Sequence, residues 1–200
     1  MGPLQTPHVF ATLRMADLQL AAFEPTHEEI VRFAPLLAGH YNDPYNRSMM
    51  ANTVAMTPGE VVEHFDSLGQ SDGRPFLLQV DGETVGDADF RHVSGTNAEF
   101  AILVGERSLQ GKGIGLGFGI LLHALAFHAF ALERVFVSII PQNVASQRLF
   151  AKLGYTPDDS ALARSFADEA SDLTFSLGRE DFESKHGATA DRAVWRSRSQ

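Results

Sequence analysis

The sequence predicts a mixed α/β (α+β) domain, and three observations predict it. An apolar run, Ala98-Glu99-Phe100-Ala101-Ile102-Leu103-Val104, leads into a glycine loop, Gln110-Gly111-Lys112-Gly113-Ile114-Gly115, and then into an apolar stretch that reaches Leu132. Thr26 with Glu29, and Thr57 with Glu60, have the spacing of capping boxes, which start helices. Asp81-Gly82, between strand-like runs at 76–80 and 84–93, is a hairpin signal, so part of the sheet is antiparallel.

In chain order, residues 1–16 read as a loose leader and 17–23 as a first strand. Thr26 caps a helix in which Ile30, Phe33, Ala34 and Leu37 share one face; Pro35 should kink it and Gly39 should end it. Residues 40–56 are long for a connection. Two readings stand there: a binding lid using Tyr41, Tyr45 and Arg47, or a short helical turn that packs its methionines inward. Pro58 at the first helical position opens a second helix, with Val61, Phe65 and Leu68 on one face and Gly69 at its stop. The meander at 76–80, 84–93 and 98–104 follows. From 114 to about 131 the chain is apolar nearly all round, which predicts a deeply buried helix. A buried strand at 134–140, a break at Pro141 and a helix at 144–153 stopped by Gly154 complete a βαβα unit with a right-handed crossover. Residues 172–177 read as a strand, 156–171 are ambiguous, and 183–200 read as a mobile tail after a domain spanning 1–182.

Composition narrows the function. A formal charge of −9 argues against nucleic acid and leaves room for a cationic partner. The longest apolar stretch, 114–132, holds two histidines and three glycines, so no membrane span is expected. Met1-Gly2-Pro3-Leu4-Gln5 has no signal-peptide pattern, and there are no cysteines; a cytoplasmic location is the expectation. His123 and His128 are five apart and lack acidic companions, so no metal site is expected.

Strand, glycine loop and helix N-terminus in succession form an anion site, usually for phosphate. The Walker pattern needs its lysine after the last glycine, whereas Lys112 lies between the first two. The dinucleotide pattern needs a different glycine spacing and no antiparallel meander ahead of it. A third pattern fits. Gln110 to Gly115 matches [RQ]-x-x-G-x-[GA], and the order of elements resembles the Gcn5-related N-acetyltransferase superfamily over about residues 17–178. Val104-Gly105-Glu106 is similar to that family's strand exit, and Asn143 with Ala145, Ser146, Leu149 and Lys152-Leu153-Gly154-Tyr155 to its second cofactor-side helix. Within the superfamily, the chain looks most like the enzymes that acetylate ribosomal-protein N-termini.

The resemblance implies a central, mostly antiparallel sheet of about six or seven strands with about four helices. It also implies acetyl-CoA as co-substrate and direct attack of an amine on the thioester. Backbone N–H groups of Gly111, Lys112, Gly113, Ile114 and Gly115 would cradle the pyrophosphate, with the helix dipole adding favourable potential. Lys112 adds charge there or is simply solvated. Ile102, Leu103 and Val104 would run beside the pantetheine arm, where their strand splays from the next. Asn143 would bond that arm or serve as a helix N-cap, and both roles are compatible.

For the base, alternation sets Glu99, Ala101 and Leu103 on one face and Phe100, Ile102 and Val104 on the other. Glu99 is the candidate; the alternative is a glutamate at a wet strand end. His92 and Asp89 are weaker candidates, with Asp89 or Asp87 free to pair with Arg91. For the acid, the family's tyrosine position holds Phe150, which cannot donate, so Ser146 or water takes that place. Acceptor contacts are assigned to Tyr41, Tyr45, Arg47 and Glu99. The acceptor is a protein N-terminus or lysine, or else a small amine such as a polyamine, antibiotic or amino acid. An acyl-CoA-binding sensor with weak catalysis is the alternative from another class, and the chain would act as a monomer or homodimer.

Overall fold

Both capping boxes form. Thr26 and Glu29, and Thr57 and Glu60, exchange side-chain-to-backbone hydrogen bonds at the starts of α1 (His27–Asn42) and α3 (Pro58–Gln70). The computed structural model describes residues 8–50 and 54–198. α1 runs unbroken through Pro35 and past Gly39, because Gly39 keeps helical geometry and Asp43 supplies the end. Asp43 then caps the short α2 (Pro44–Met49), so the helical-turn reading of 40–56 holds for its first part. Residues 51–53 lie outside the described residues.

β1 (Val9–Met15) and β2 (Leu18–Phe23) form a hairpin, as do β3 (Arg74–Val80) and β4 (Glu83–Ser94). Asp81 and Gly82 have φ of 50° and 89°, the left-handed pair that a two-residue hairpin turn requires. β5 (Asn97–Val104) pairs antiparallel with β4. The chain then passes through α4 (Ile114–Ala124), extended by a π-type turn at 125–129, and returns as β6 (Arg134–Ile139), parallel to β5. α5 (Val144–Leu153), β7 (Thr156–Pro157), α6 (Ala161–Arg164), β8 (Leu173–Gly178), α7 (Arg179–Ala190) and β9 (Val194–Ser197) follow. The sheet order is β7-β8-β6-β5-β4-β3-β2-β1-β9.

Among the described residues there are nine strands and seven helices, more than the six or seven strands and four helices expected. The leader was misread: Val9, Ala11 and Leu13 alternate inward on β1, so residues 9–15 are sheet. The tail reading also fails for the described part of 183–200, which holds most of α7 and all of β9. α7 shows no apolar stripe because two residues anchor it, Phe182 and Ala190; Phe182 packs on Phe127 and His123. β9 is exposed along its length and is held by backbone pairing to β1, which leaves no mark in side-chain pattern. No described helix is long and apolar enough to cross a membrane.

The sheet separates two cores. Phe76, Phe90 and Phe100 face α4, α5 and α7, while Leu77 and Leu103 face α1 and α3 with Tyr41. Gly117 and Gly119 belong to this packing. A Cβ on Gly117 would come within 2.5 Å of Leu20 and Met15, and one on Gly119 within 2.6 Å of Leu153. α4 thus lies close to both the sheet and α5.

Candidate active site

The site begins where two strands part. β5 and β6 pair from Asn97↔Arg134 to Glu99↔Phe136 and no further, although β5 continues to Val104 and β6 to Ile139. On the β6 side, the Thr96 carbonyl accepts from the Glu133 amide at 2.8 Å and the Val104 carbonyl accepts from Gln110 Nε2 at 2.8 Å. Backbone groups alternate in direction along a strand, so those of Phe100 and Ile102 lie on the same unpaired edge. Leu103 turns its backbone to β4 instead and shows its side chain to the opposite face from Ile102 and Val104.

The glycine loop lies at the wide end of this gap. Gly111 and Gly113 have φ of 74° and 82°, a conformation that other residues adopt only with strain. Gly113 precedes α4 with no side chain capping it, so the first-turn amides of that helix have no intrahelical acceptor. Gln110 does not face outward. Its Nε2 joins Val104 O to Asn46 Oδ1 at 3.0 Å, and Asn46 donates to His40 O and Gly105 O. Asn46, which sequence reasoning missed, ties α1, α2, the strand exit and the loop together. Lys112 is exposed.

A cavity of about 400 Å³ runs through the gap. On the α5 side it is lined by Ile139, Ile140, Asn143, Ser146 and Phe150. Asn143 is the N-cap of α5, accepting from the Ser146 amide at 2.9 Å, while its Nδ2 donates to Met49 O on α2. Phe150 is nearly buried, edge-on to Phe100 and Tyr155. His123 is sealed behind these rings between Gly119 O and the Tyr155 hydroxyl, and burial pushes its pKa down to about 4.

The other side of the cavity is acidic. Asp87, Asp89 and Arg91 of β4 and Glu99 of β5 share one face with Ala101 and Leu103, as the register Asp89↔Ala101 and Arg91↔Glu99 requires. Tyr41 from α1, His64 from α3, and Asp168, Glu169 and Asp172 ahead of β8 complete the wall. Glu99 borders the cavity but is not at a wet strand end. It is 1% exposed, bound by Arg91 at 3.0 Å and His92 Nδ1 at 2.7 Å. A bulge near His92, whose φ is 50°, brings that ring round to Glu99. Tyr41 donates to Asp87 Oδ2 at 2.8 Å. Burial pushes Asp87 up to about 7, against the lowering effect of that hydrogen bond, and Asp89 up to about 6, against the nearby Arg91 charge.

Of the acceptor residues expected from sequence, Tyr41 and Glu99 line the cavity, whereas Tyr45 and Arg47 do not. Tyr45 stacks under the Arg107 guanidinium, 3.8 Å from its ring centre, at the base of the glycine loop. The carboxylates of β4 were underweighted, although two aspartates alternating with Ala88 and Phe90 in mid-strand were visible in the sequence.

The sequence matches the family described as an acetyltransferase (GNAT) domain over residues 10–156. No curated protein matches it. Among solved structures, it is similar to Mycobacterium smegmatis RimJ in complex with CoA-disulfide, at 19% identity, over 98% of this chain and 100% of that one, with a TM-score of 0.68. Aminoglycoside acetyltransferase AAC(6')-Ib in complex with coenzyme A is similar at 16% identity, over 84% of this chain and 99% of that one, with a TM-score of 0.69. A spermidine N-acetyltransferase SpeG chimera, from Vibrio cholerae and hSSAT, is similar at 15% identity, over 82% and 97% of the two chains, with a TM-score of 0.65. At these identities the structural likeness speaks for the fold alone.

Proposed function

Since the chain belongs to the acetyltransferase (GNAT) domain family and so is an N-acetyltransferase that uses acetyl-CoA, we propose that its acceptor is a small amine with more than one positive charge. The observation that carries this reading is the acidic wall: six carboxylates line the cavity, against one arginine. Glu99 is engaged by Arg91 and His92, while Asp172 and Asp87 are met by the neutral hydroxyls of Ser138 and Tyr41. Arg91 comes no nearer than 3.7 Å to Asp89 and 3.9 Å to Asp168, so the carboxylates outnumber the cationic charge that faces them. Carboxylates lose solvation when buried and need cationic partners to offset it. A protein N-terminus or lysine side chain, the acceptor implied by the ribosomal-protein subgroup, brings a single ammonium. A volume of about 400 Å³ also suits a compact ligand.

The residues present fit coenzyme A. The left-handed Gly111 and Gly113 and the uncapped start of α4 suit a pyrophosphate, and the unpaired edge at Phe100 and Ile102 suits the amides of a pantetheine arm. Bound there, acetyl-CoA supplies an acetyl group activated as a thioester. In this reading the Ile102 backbone orients the acyl carbonyl and supplies a donor where negative charge develops. Asn143 and Ser146 line the cavity on the side where the sulfur would lie, and Phe150 beside them would exclude water without donating a proton. Gln110 acts indirectly, by holding the loop to Val104 and Asn46.

Thiol release from acetyl-CoA, measured across diamines, polyamines, amino sugars, amino acids and peptides, tests this. Multiply charged small amines should exceed singly charged ones and peptides in kcat/KM. Tight acetyl-CoA binding with no turnover on any amine would make the chain a sensor and sink the enzyme reading; a peptide preference would sink the acceptor reading.

A further inference from the structure

Asp87 and Asp89 stand two apart on β4, so both side chains leave the same face of the sheet. They are 8% and 6% exposed, and in each the Oδ1 atom has no hydrogen-bond partner among the described residues. Tyr41 satisfies Asp87 Oδ2, and Arg91 approaches Asp89 Oδ1 only to 3.7 Å, too far for a hydrogen bond. Both groups line the cavity. Glu99, by contrast, has both oxygens taken. Buried acceptor atoms left unpaired are costly unless a donor arrives from outside, and an ammonium brings three donors together with a charge.

We propose that Asp87 and Asp89 are the receptor for the acceptor's primary ammonium group and take up the proton it must lose, while Glu99 positions Arg91 and His92. The proposal rests on the acetyl-transfer reading above. An alkylammonium with a pKa of about 10.4 is protonated on arrival and cannot attack. One proton passes to the aspartate pair, and the freed lone pair forms the N–C bond to the acetyl carbon. The C–S bond breaks with its electron pair on sulfur; the second amine proton ends on that sulfur, and the first leaves the carboxylate for solvent. Around the pair stand Tyr41 from α1, His64 from α3, Arg91 on the same strand, Glu99 from β5 and Asp168 ahead of β8. Burial holds His64 below its ordinary value, while the aspartates reach about 7 and about 6, a range suited to a base at neutral pH.

The test is steady-state kinetics against pH with 1,4-diaminobutane and spermidine, together with calorimetric titration of both amines in the presence of coenzyme A. The proteins are wild type, Asp87→Asn, Asp89→Asn and Glu99→Gln. Each aspartate variant should lose kcat/KM by about 10²–10⁴-fold and weaken amine binding, with coenzyme A affinity retained as proof of folding. The acid limb of the wild-type profile should disappear or move to a different group in them. It should persist in Glu99→Gln, displaced toward lower pH because the Glu99 charge helps to raise Asp89. Rates and limb unchanged in both aspartate variants, or a limb lost only in Glu99→Gln, overturns the proposal. A wild type that binds the amines and releases no thiol refutes the acetyl-transfer reading, while weakened amine binding in the variants still upholds the receptor. A wild type that binds neither amine overturns the receptor.

Discussion

Three acids share a few ångströms of sheet and differ in what surrounds them. Glu99 is held by a close guanidinium and an imidazole nitrogen; Asp87 and Asp89 are buried with a tyrosine hydroxyl and a distant guanidinium. The difference reaches stability. Asp87 rises from the ordinary 3.8 to about 7 on folding, chiefly through burial. Its contribution is therefore fully present below the unfolded value and is lost as pH rises through about 7. Asp87→Asn has no such charge to bury. Its stability relative to wild type should improve by about 2 kcal/mol between pH 5.5 and pH 8, at 1.36 kcal/mol per pH unit until the carboxyl ionises. Urea unfolding at the two pH values measures this, and an unchanged difference would show that Asp87 is already solvated in the folded protein.

Among the elements, those at the ends of the chain show how much can be held without an apolar stripe. β9 lies on the sheet edge, and Arg198 just beyond it reaches back to the start of α1. Its guanidinium pairs with Glu29, donates to Glu24 O and lies over the Phe23 ring, 4.6 Å from its centre. Burial alone would raise Glu29, but the hydrogen bond from Arg198 and the Thr26 backbone outweigh it and the pKa ends lower. Stability from this contact is thus present above the unfolded pKa and lost as pH falls through the folded one. Arg198→Ala should lower stability by about 1 kcal/mol at pH 7 and by less near pH 3, read by thermal melts. An equal loss at both pH values would place the effect in the Phe23 contact. α2 is the other element of consequence: six residues with one buried anchor, Asn46, couple the helices on one face to the glycine loop.

At the scale of the whole molecule, the parting of β5 from β6 lets one cavity reach both faces of the sheet. The glycine loop and α5 lie on one side, and the acidic wall with Tyr41 and His64 on the other. Coenzyme A bound at the loop should stabilise the fold by mass action, by about 2.7 kcal/mol at 100 times its Kd. That corresponds to roughly 5–10 °C in Tm for a chain of this size. Gly111→Ala should abolish most of the shift while costing only about 1–2 kcal/mol in its absence, since its Cβ would meet nothing and only the left-handed backbone resists it. Scanning fluorimetry with and without coenzyme A reads both effects, and a full shift in the variant would remove the loop from the cofactor site.

By itself, the sequence determined what is local. Capping boxes, the Asp81-Gly82 turn, the glycine loop and the apolar helix behind it are set by neighbours within a few residues, and so was the strand–loop–helix order that points to coenzyme A. Gly117 and Gly119 announced close packing for the same reason, although their partners Leu20, Met15 and Leu153 did not show. Strand alternation also placed Glu99 on the right face of β5. It could not say that Arg91 and His92 cross from β4 to occupy it, because that depends on register and on one bulge. Only the tertiary structure decided which buried carboxylate oxygens are left without a hydrogen bond among the described residues, that β9 pairs with β1 at the sheet edge, and that Tyr45 belongs to the loop's foundation and not to the cavity. Each of these depends on contacts distant in sequence, where charge compensation and backbone pairing leave no periodic trace.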